Sequence, residues 1–141
     1  MWPINEPNQL YFSHWNQEVE GFYMEVDNID DIQQVIEGAL ERFNDSNERV
    51  RLDLMLYSQL NRHMLRMLRV IAASHGHLIN VAMKGYGISS AVKLVTFAAG
   101  HQLRELDIYE GFSDEEWKAE LRRALVYCGS HDKPLTLYID E

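Results

Sequence analysis

The chain has 141 residues, 46% of them hydrophobic and 25% charged, a balance that supports one buried core and excludes a disordered tail, a collagen-like fibre and a low-complexity linker. Its single cysteine, Cys128, excludes an intramolecular disulfide framework and fits a reducing compartment. The net charge of -9 is uneven, with eleven acids and one base (Arg42) in residues 1–48 against eleven acids and twelve bases in residues 49–141, and so acidic a front end argues against nucleic-acid binding.

Residues 1–30 read as an irregular arm, acidic and aromatic. Pro3 and Pro7 break regular structure, and Trp2, Tyr11, Phe12, Trp15, Phe22 and Tyr23 need a surface to cover. The acids there form either a solvated face or a contact for a basic partner. The start lacks the basic flank and apolar run of a signal peptide, and no apolar stretch approaches the ~20 residues of a membrane helix, so no membrane partner is expected.

Residues 31–75 read as a two-helix segment. The first helix is predicted over 31–43, with Ile32, Val35, Ile36, Ala39, Leu40 and Phe43 on one stripe and Asp30 as N-cap. The second is predicted over 52–74, with Leu56, Leu60, Met64, Met67, Leu68 and Ile71 inward and Arg62, Arg66 and Arg69 on another face.

Residues 76–141 alternate strand and helix. A strand is predicted over 77–83, then the glycine-rich turn Lys84-Gly85-Tyr86-Gly87, then a helix over 88–99 with Ser89 and Ser90 in its first turn and Gly100 as its C-terminal cap. A strand over 103–109 follows. Ser113 and Glu116 form a capping box for a helix over 113–127, whose stripe is Trp117, Leu121, Ala124, Leu125 and Cys128. The last strand is predicted over 134–139. The expected fold class is α/β: a parallel sheet of about three strands with right-handed crossovers and flanking helices, preceded by the arm and two helices.

A strand, a glycine-rich turn and a helix are the setting of the phosphate-binding loop G-x-x-x-x-G-K-[ST]. Laid over residues 82–89, that pattern meets A-M-K-G-Y-G-I-S. Gly87 and Ser89 keep the second glycine and the hydroxyl, whereas Ala82 replaces the first glycine and Ile88 the lysine. Turn amides and the helix N-terminus still direct partial positive charge at an anion. Removing one partner of a buried charge pair costs about 3–5 kcal/mol, two or more decades in affinity. Tyr86 adds a bulky ring where backbone should approach phosphate, and Lys84 is the one nearby cation that could swing in. The cofactor-binding candidates are therefore Gly85, Gly87, Ser89, Ser90 and Lys84. The last strand ends in Asp140-Glu141, the Walker B pattern in which the aspartate holds Mg²⁺ and the glutamate polarises the attacking water. His75 and His77 have no acid or cysteine at ligand spacing to complete a zinc set, and no G-x-S-x-G is present.

At this point the chain resembles the fourth AAA+ module of dynein heavy chains, from about Leu10 to Glu141. Residues 76–88 stand where that family has G-N-x-L-L-V-G-V-G-G-S-G-[KR]. Leu106-Asp107-Ile108 matches its second strand, the run 116–122 its W-R-E-D-L-K helix, and Lys133-Pro134 the approach to its last strand. Register carries the likeness more than identity does. The resemblance implies a regulatory module of a microtubule motor, with the cytoplasm, the cytoskeleton and cilia or flagella as its setting and the rest of a dynein-type ring as its protein partner. With this loop, and without the family's sensor residues, lid and arginine finger, it implies an element that does not hydrolyse ATP; the alternative is a regulatory ATP- or ADP-binding module, with Mg²⁺, in which Lys84 or a neighbouring chain replaces the lysine. It also implies a partial P-loop, AAA+-like sheet, in the order 5-1-4-3-2, of which these residues supply strands one to three. The strand over 77–83 is then expected to pair unusually, to lie beside strand three, or to need another chain.

Overall fold

The computed structural model describes residues 11–13, 24–26, 29–46, 50–83 and 85–140. In chain order the elements are β1 (Tyr11–Ser13), β2 (Met24–Val26), α1 (Ile29–Ser46), α2 (Ser58–Ala72), α3 (Ile88–Ala98), β3 (Gln102–Asp107), α4 (Asp114–His131) and β4 (Leu135–Asp140). β1 and β2 form a short antiparallel pair inside the arm read as irregular, with Phe12 opposite Glu25. The rest of that arm, with Trp2, Trp15 and Phe22, lies outside the described residues.

One core organises the chain. α1 contributes Ile32, Ile36, Ala39 and Phe43, α2 contributes Leu60, Met64, Leu65, Met67 and Leu68, and α3 contributes Ala91, Val92, Leu94 and Val95, all buried. Each set falls at three- and four-residue spacing, so each helix buries one stripe. Phe43 and Phe97 meet edge to face with ring centroids 5.2 Å apart, joining α1 to α3. Asn61 and Thr96 are buried with this core, and neither side chain has a hydrogen-bond partner among the described residues. α1 begins at Ile29, so Asp30 sits in its first turn rather than at its cap; an acid there still suits the helix dipole.

The second helix differs more from expectation. α2 starts at Ser58, and residues 50–57 are non-helical. The cause is a side chain on α1. The Asn44 amide donates to the Leu52 carbonyl at 3.2 Å, and its oxygen accepts the Leu52 N–H at 2.8 Å. That two-way bond satisfies the backbone of an extended segment and holds it against α1. The burial pattern agrees: Leu52, Leu54 and Leu56 face inward, whereas Asp53 and Met55 are exposed.

The parallel crossover is present. β3 and β4 pair in parallel, from Gln102 opposite Leu135 to Asp107 opposite Asp140, with α4 as the connection. Both helix-end signals hold. Gly100 takes φ 72°, its N–H bonds to the Phe97 carbonyl and the His101 N–H to that of Thr96, which closes α3 in a Schellman turn. At α4, Ser113 accepts from the Glu116 N–H while the Glu116 carboxylate accepts from the Ser113 N–H. The Arg104 guanidinium of β3 reaches Glu120 of α4, with Nε 3.0 Å from Oε2. Of the predicted α4 stripe only Ala124 is buried, and Leu125 is exposed.

The parallel sheet has two strands rather than about three. Residues 77–83 form no strand and are not paired with β4. A strand is an arrangement between chains of residues, and among the described residues none is aligned to pair with this one. No described helix is long and apolar enough to cross a membrane.

Candidate functional site

The glycine-rich turn is built as the sequence requires. Gly85 and Gly87 take φ values of 93° and 76°, left-handed backbone that glycine enters without strain. Gly87 is also the residue before α3, and a side chain there would press on Leu54, with a Cβ only 3.0 Å from its Cδ1. The turn thus rests on the extended segment 50–57. Gly87, the N-cap of α3, has no side chain with which to cap the helix.

Between the turn and that segment lies a cleft of about 450 Å³, lined by Asp53, Leu54, Met55, Tyr57, Leu60, Gly85, Tyr86 and Gly87. This size suits a small molecule. Its lining is apolar and aromatic except for Asp53, a carboxylate. Sequence reasoning found the glycine wall and missed the wall made by residues 53–57. The signal was present in the alternation Leu52-Asp53-Leu54-Met55-Leu56, which has the period of an extended chain.

The other half of the site is brought close. The Ser89 hydroxyl, in the first turn of α3, lies 3.1 Å from the Tyr138 hydroxyl of β4. Asp140 ends β4, two residues further on. The start of α3 and the end of β4 are therefore neighbours. Ser90 is half-buried in the same turn. Lys84, Glu141 and the side chain of Asp140 lie outside the described residues.

The structure also shows where the pattern has changed. Ile88, at the lysine position, packs against the hydrophobic core. Lys93, further along α3, pairs with Glu105 of β3 at 3.1 Å. Among the described residues no lysine or arginine lines the cleft. The residues described do not fit the phosphates of a nucleotide: an apolar side chain stands where the cation belongs, and the cleft's charge has the wrong sign. The carboxylates held below their usual range are elsewhere. The Tyr109 hydroxyl, followed by the Ser113 amide and hydroxyl, lowers Glu116, and Arg104 lowers Glu120.

A parallel strand pair joined by a helical crossover, with a glycine turn opening a helix beside the strand end, defines an α/β protein of the P-loop class. The chain belongs to the family described as P-loop containing dynein motor region D4, which it matches over residues 52–141. That span includes both walls of the cleft, the turn, Ser89 and Asp140. The chain is 28% identical to human dynein axonemal heavy chain 3 over 107 residues, 76% of its length. It is 26% identical to the cytoplasmic dynein heavy chain of Neurospora crassa over 132 residues, and 23% identical to the flagellar outer arm dynein beta chain of Chlamydomonas reinhardtii over 142 residues. These alignments cover 94% and 98% of this chain, and the chain spans only 3% of the length of each of the three relatives.

Proposed function

We propose that this chain is a degenerate dynein-type AAA+ element that acts through protein contacts in a microtubule motor and does not hydrolyse ATP. The observation that carries this reading is Ile88. Its side chain packs on the core at the position where a phosphate loop needs a lysine, so nothing at that position meets the charge of the β- and γ-phosphates. Asp53 in the cleft adds repulsion. The partners in this reading are the remaining parts of a dynein-type ring and, through it, the microtubule. The names of the relatives support a cytoskeletal setting, axonemal or cytoplasmic.

The retained glycine turn before α3 leaves a second reading, a regulatory ATP- or ADP-binding module in which Lys84 or a neighbouring chain supplies the missing cation. Titration with a fluorescent ATP analogue, with and without Mg²⁺, separates the two, with circular dichroism on the same sample to establish folding. The contact reading predicts no binding up to millimolar nucleotide. Micromolar, Mg²⁺-dependent binding that is lost in Lys84→Ala would overturn it and establish the second.

A further inference from the structure

The phosphate-loop pattern keeps the hydroxyl of Ser89, and the structure gives that hydroxyl a different use. Its oxygen lies 3.1 Å from the Tyr138 hydroxyl, 49 residues away in sequence. Ser89 is half-buried, where a hydroxyl needs a partner, and Tyr138 packs against the core. The contact belongs to a register. Thr136 and Tyr138 alternate along β4 and so share one face. The Thr136 hydroxyl lies 3.1 Å from Nδ1 of His101, just beyond the glycine turn that ends α3. One face of β4 therefore holds α3 at its first turn and just past its last.

The residue type at 138 matters. A hydroxyl has one proton to donate, so a bonded pair of hydroxyls orients both oxygens. In a working phosphate loop the serine presents its oxygen to Mg²⁺. A serine bonded to a tyrosine already has its orientation set by that tyrosine. A phenylalanine at the same position keeps the ring and lacks the bond.

We propose that Tyr138 is a latch: its bond to Ser89 holds the first turn of α3 on β4 and withholds the serine hydroxyl from Mg²⁺ and nucleotide. The site is then closed twice, at Ile88 and at Tyr138, and restoring the lysine alone does not reopen it. The proposal rests on the reading that this chain takes no nucleotide and adds a second, separable cause for it.

The test titrates the full chain with a fluorescent ATP analogue, with and without Mg²⁺, in the unaltered form, in Ile88→Lys, and in Ile88→Lys combined with Tyr138→Phe. Circular dichroism on each sample establishes folding. Adding Tyr138→Phe to Ile88→Lys should tighten binding by about tenfold, the worth of one hydrogen bond. The gain should require Mg²⁺ and vanish when Ser89→Ala is added. Thr136→Val, which removes the other hydroxyl on that face, should give no gain. A second measurement needs no nucleotide. Tyr138→Phe alone should quicken amide exchange at Ala91, whose N–H makes the first bond of α3 to the Gly87 carbonyl, by about fivefold.

Equal binding by Ile88→Lys with and without Tyr138→Phe, whether strong or absent, overturns the latch alone. So does a gain that persists in Ser89→Ala or without Mg²⁺. Should Ile88→Lys fail to fold, unchanged exchange at Ala91 in Tyr138→Phe overturns the latch by itself. Micromolar binding by the unaltered chain overturns the contact reading, and the latch with it.

Discussion

The stripes of α1 to α3 and the segment 77–83 are comparably apolar in sequence and end in opposite environments. Ile36, Met64, Leu94 and Val95 are completely buried, whereas Ile79 and Val81 are almost completely exposed. The difference is one of partners. Each helix satisfies its own backbone and needs only a neighbour for one face, and three helices supply one another with that neighbour. An extended segment needs both a pairing edge and a covered face, and among the described residues it has neither. The same contrast extends to α4, where Leu125 and Val126 stand exposed although the helix is well capped. Local signals are enough to make an element, and a second layer is needed to bury it.

The comparison breaks most readily at matched leucines. Leu94→Ala should cost about 2–5 kcal/mol by leaving a cavity in the core, and Leu125→Ala should stay within about 0.5 kcal/mol, both read from urea unfolding. Equal effects would mean that α4 is covered after all. Gly76, between the two regions, comes next. A Cβ there would lie 1.8 Å from the Val70 carbonyl oxygen, so Gly76→Ala must shift the end of α2 and should cost about 3 kcal/mol in the same assay. A smaller gain is expected inside the core. Asn61→Leu removes a buried amide without partners among the described residues and should stabilise by about 1 kcal/mol, seen as a higher melting temperature. A lower melting temperature would show that the amide is satisfied.

The weakest effect concerns pH at α4. Glu116 is held below the usual carboxylate value by Tyr109 and then by Ser113, so the unfolded chain binds the proton more tightly. Its stabilising contribution is present above the usual carboxylate value and is lost as pH falls through the lowered one. The protection factors of amides in the first turn of α4, corrected for the intrinsic pH dependence of exchange, should therefore fall on acidification through that range, and Glu116→Gln should flatten the response.

Much of this architecture was legible because its causes are local. Ser113 and Glu116 specify the start of α4 within four residues, and Gly100 ends α3 through its own backbone freedom. The turn at Gly85 and Gly87 was legible for the same reason. The wall at residues 53–57 was not, because what keeps it from being helical is Asn44, eight residues before Leu52. Leu52, Leu54, Leu56 and Leu60 suit both an extended and a helical reading, and only the long-range bond decides between them. The strand expected over 77–83 failed for a related reason: its composition is that of a strand, but pairing is not a property of composition. Within the candidate site, neither the approach of Ser89 to Tyr138 nor the carboxylate wall contributed by Asp53 was read from the sequence, because both depend on contacts between distant segments.

The most direct test of the central claim, that this phosphate loop is a relic, is residue-resolved amide exchange over 85–91 with and without millimolar MgATP. The account predicts identical rates, because Ile88 leaves the phosphates without a cation. Slowed exchange at Gly87, Ile88 and Ser89 in the presence of MgATP would contradict it and show that the turn and the N-terminus of α3 still hold a nucleotide.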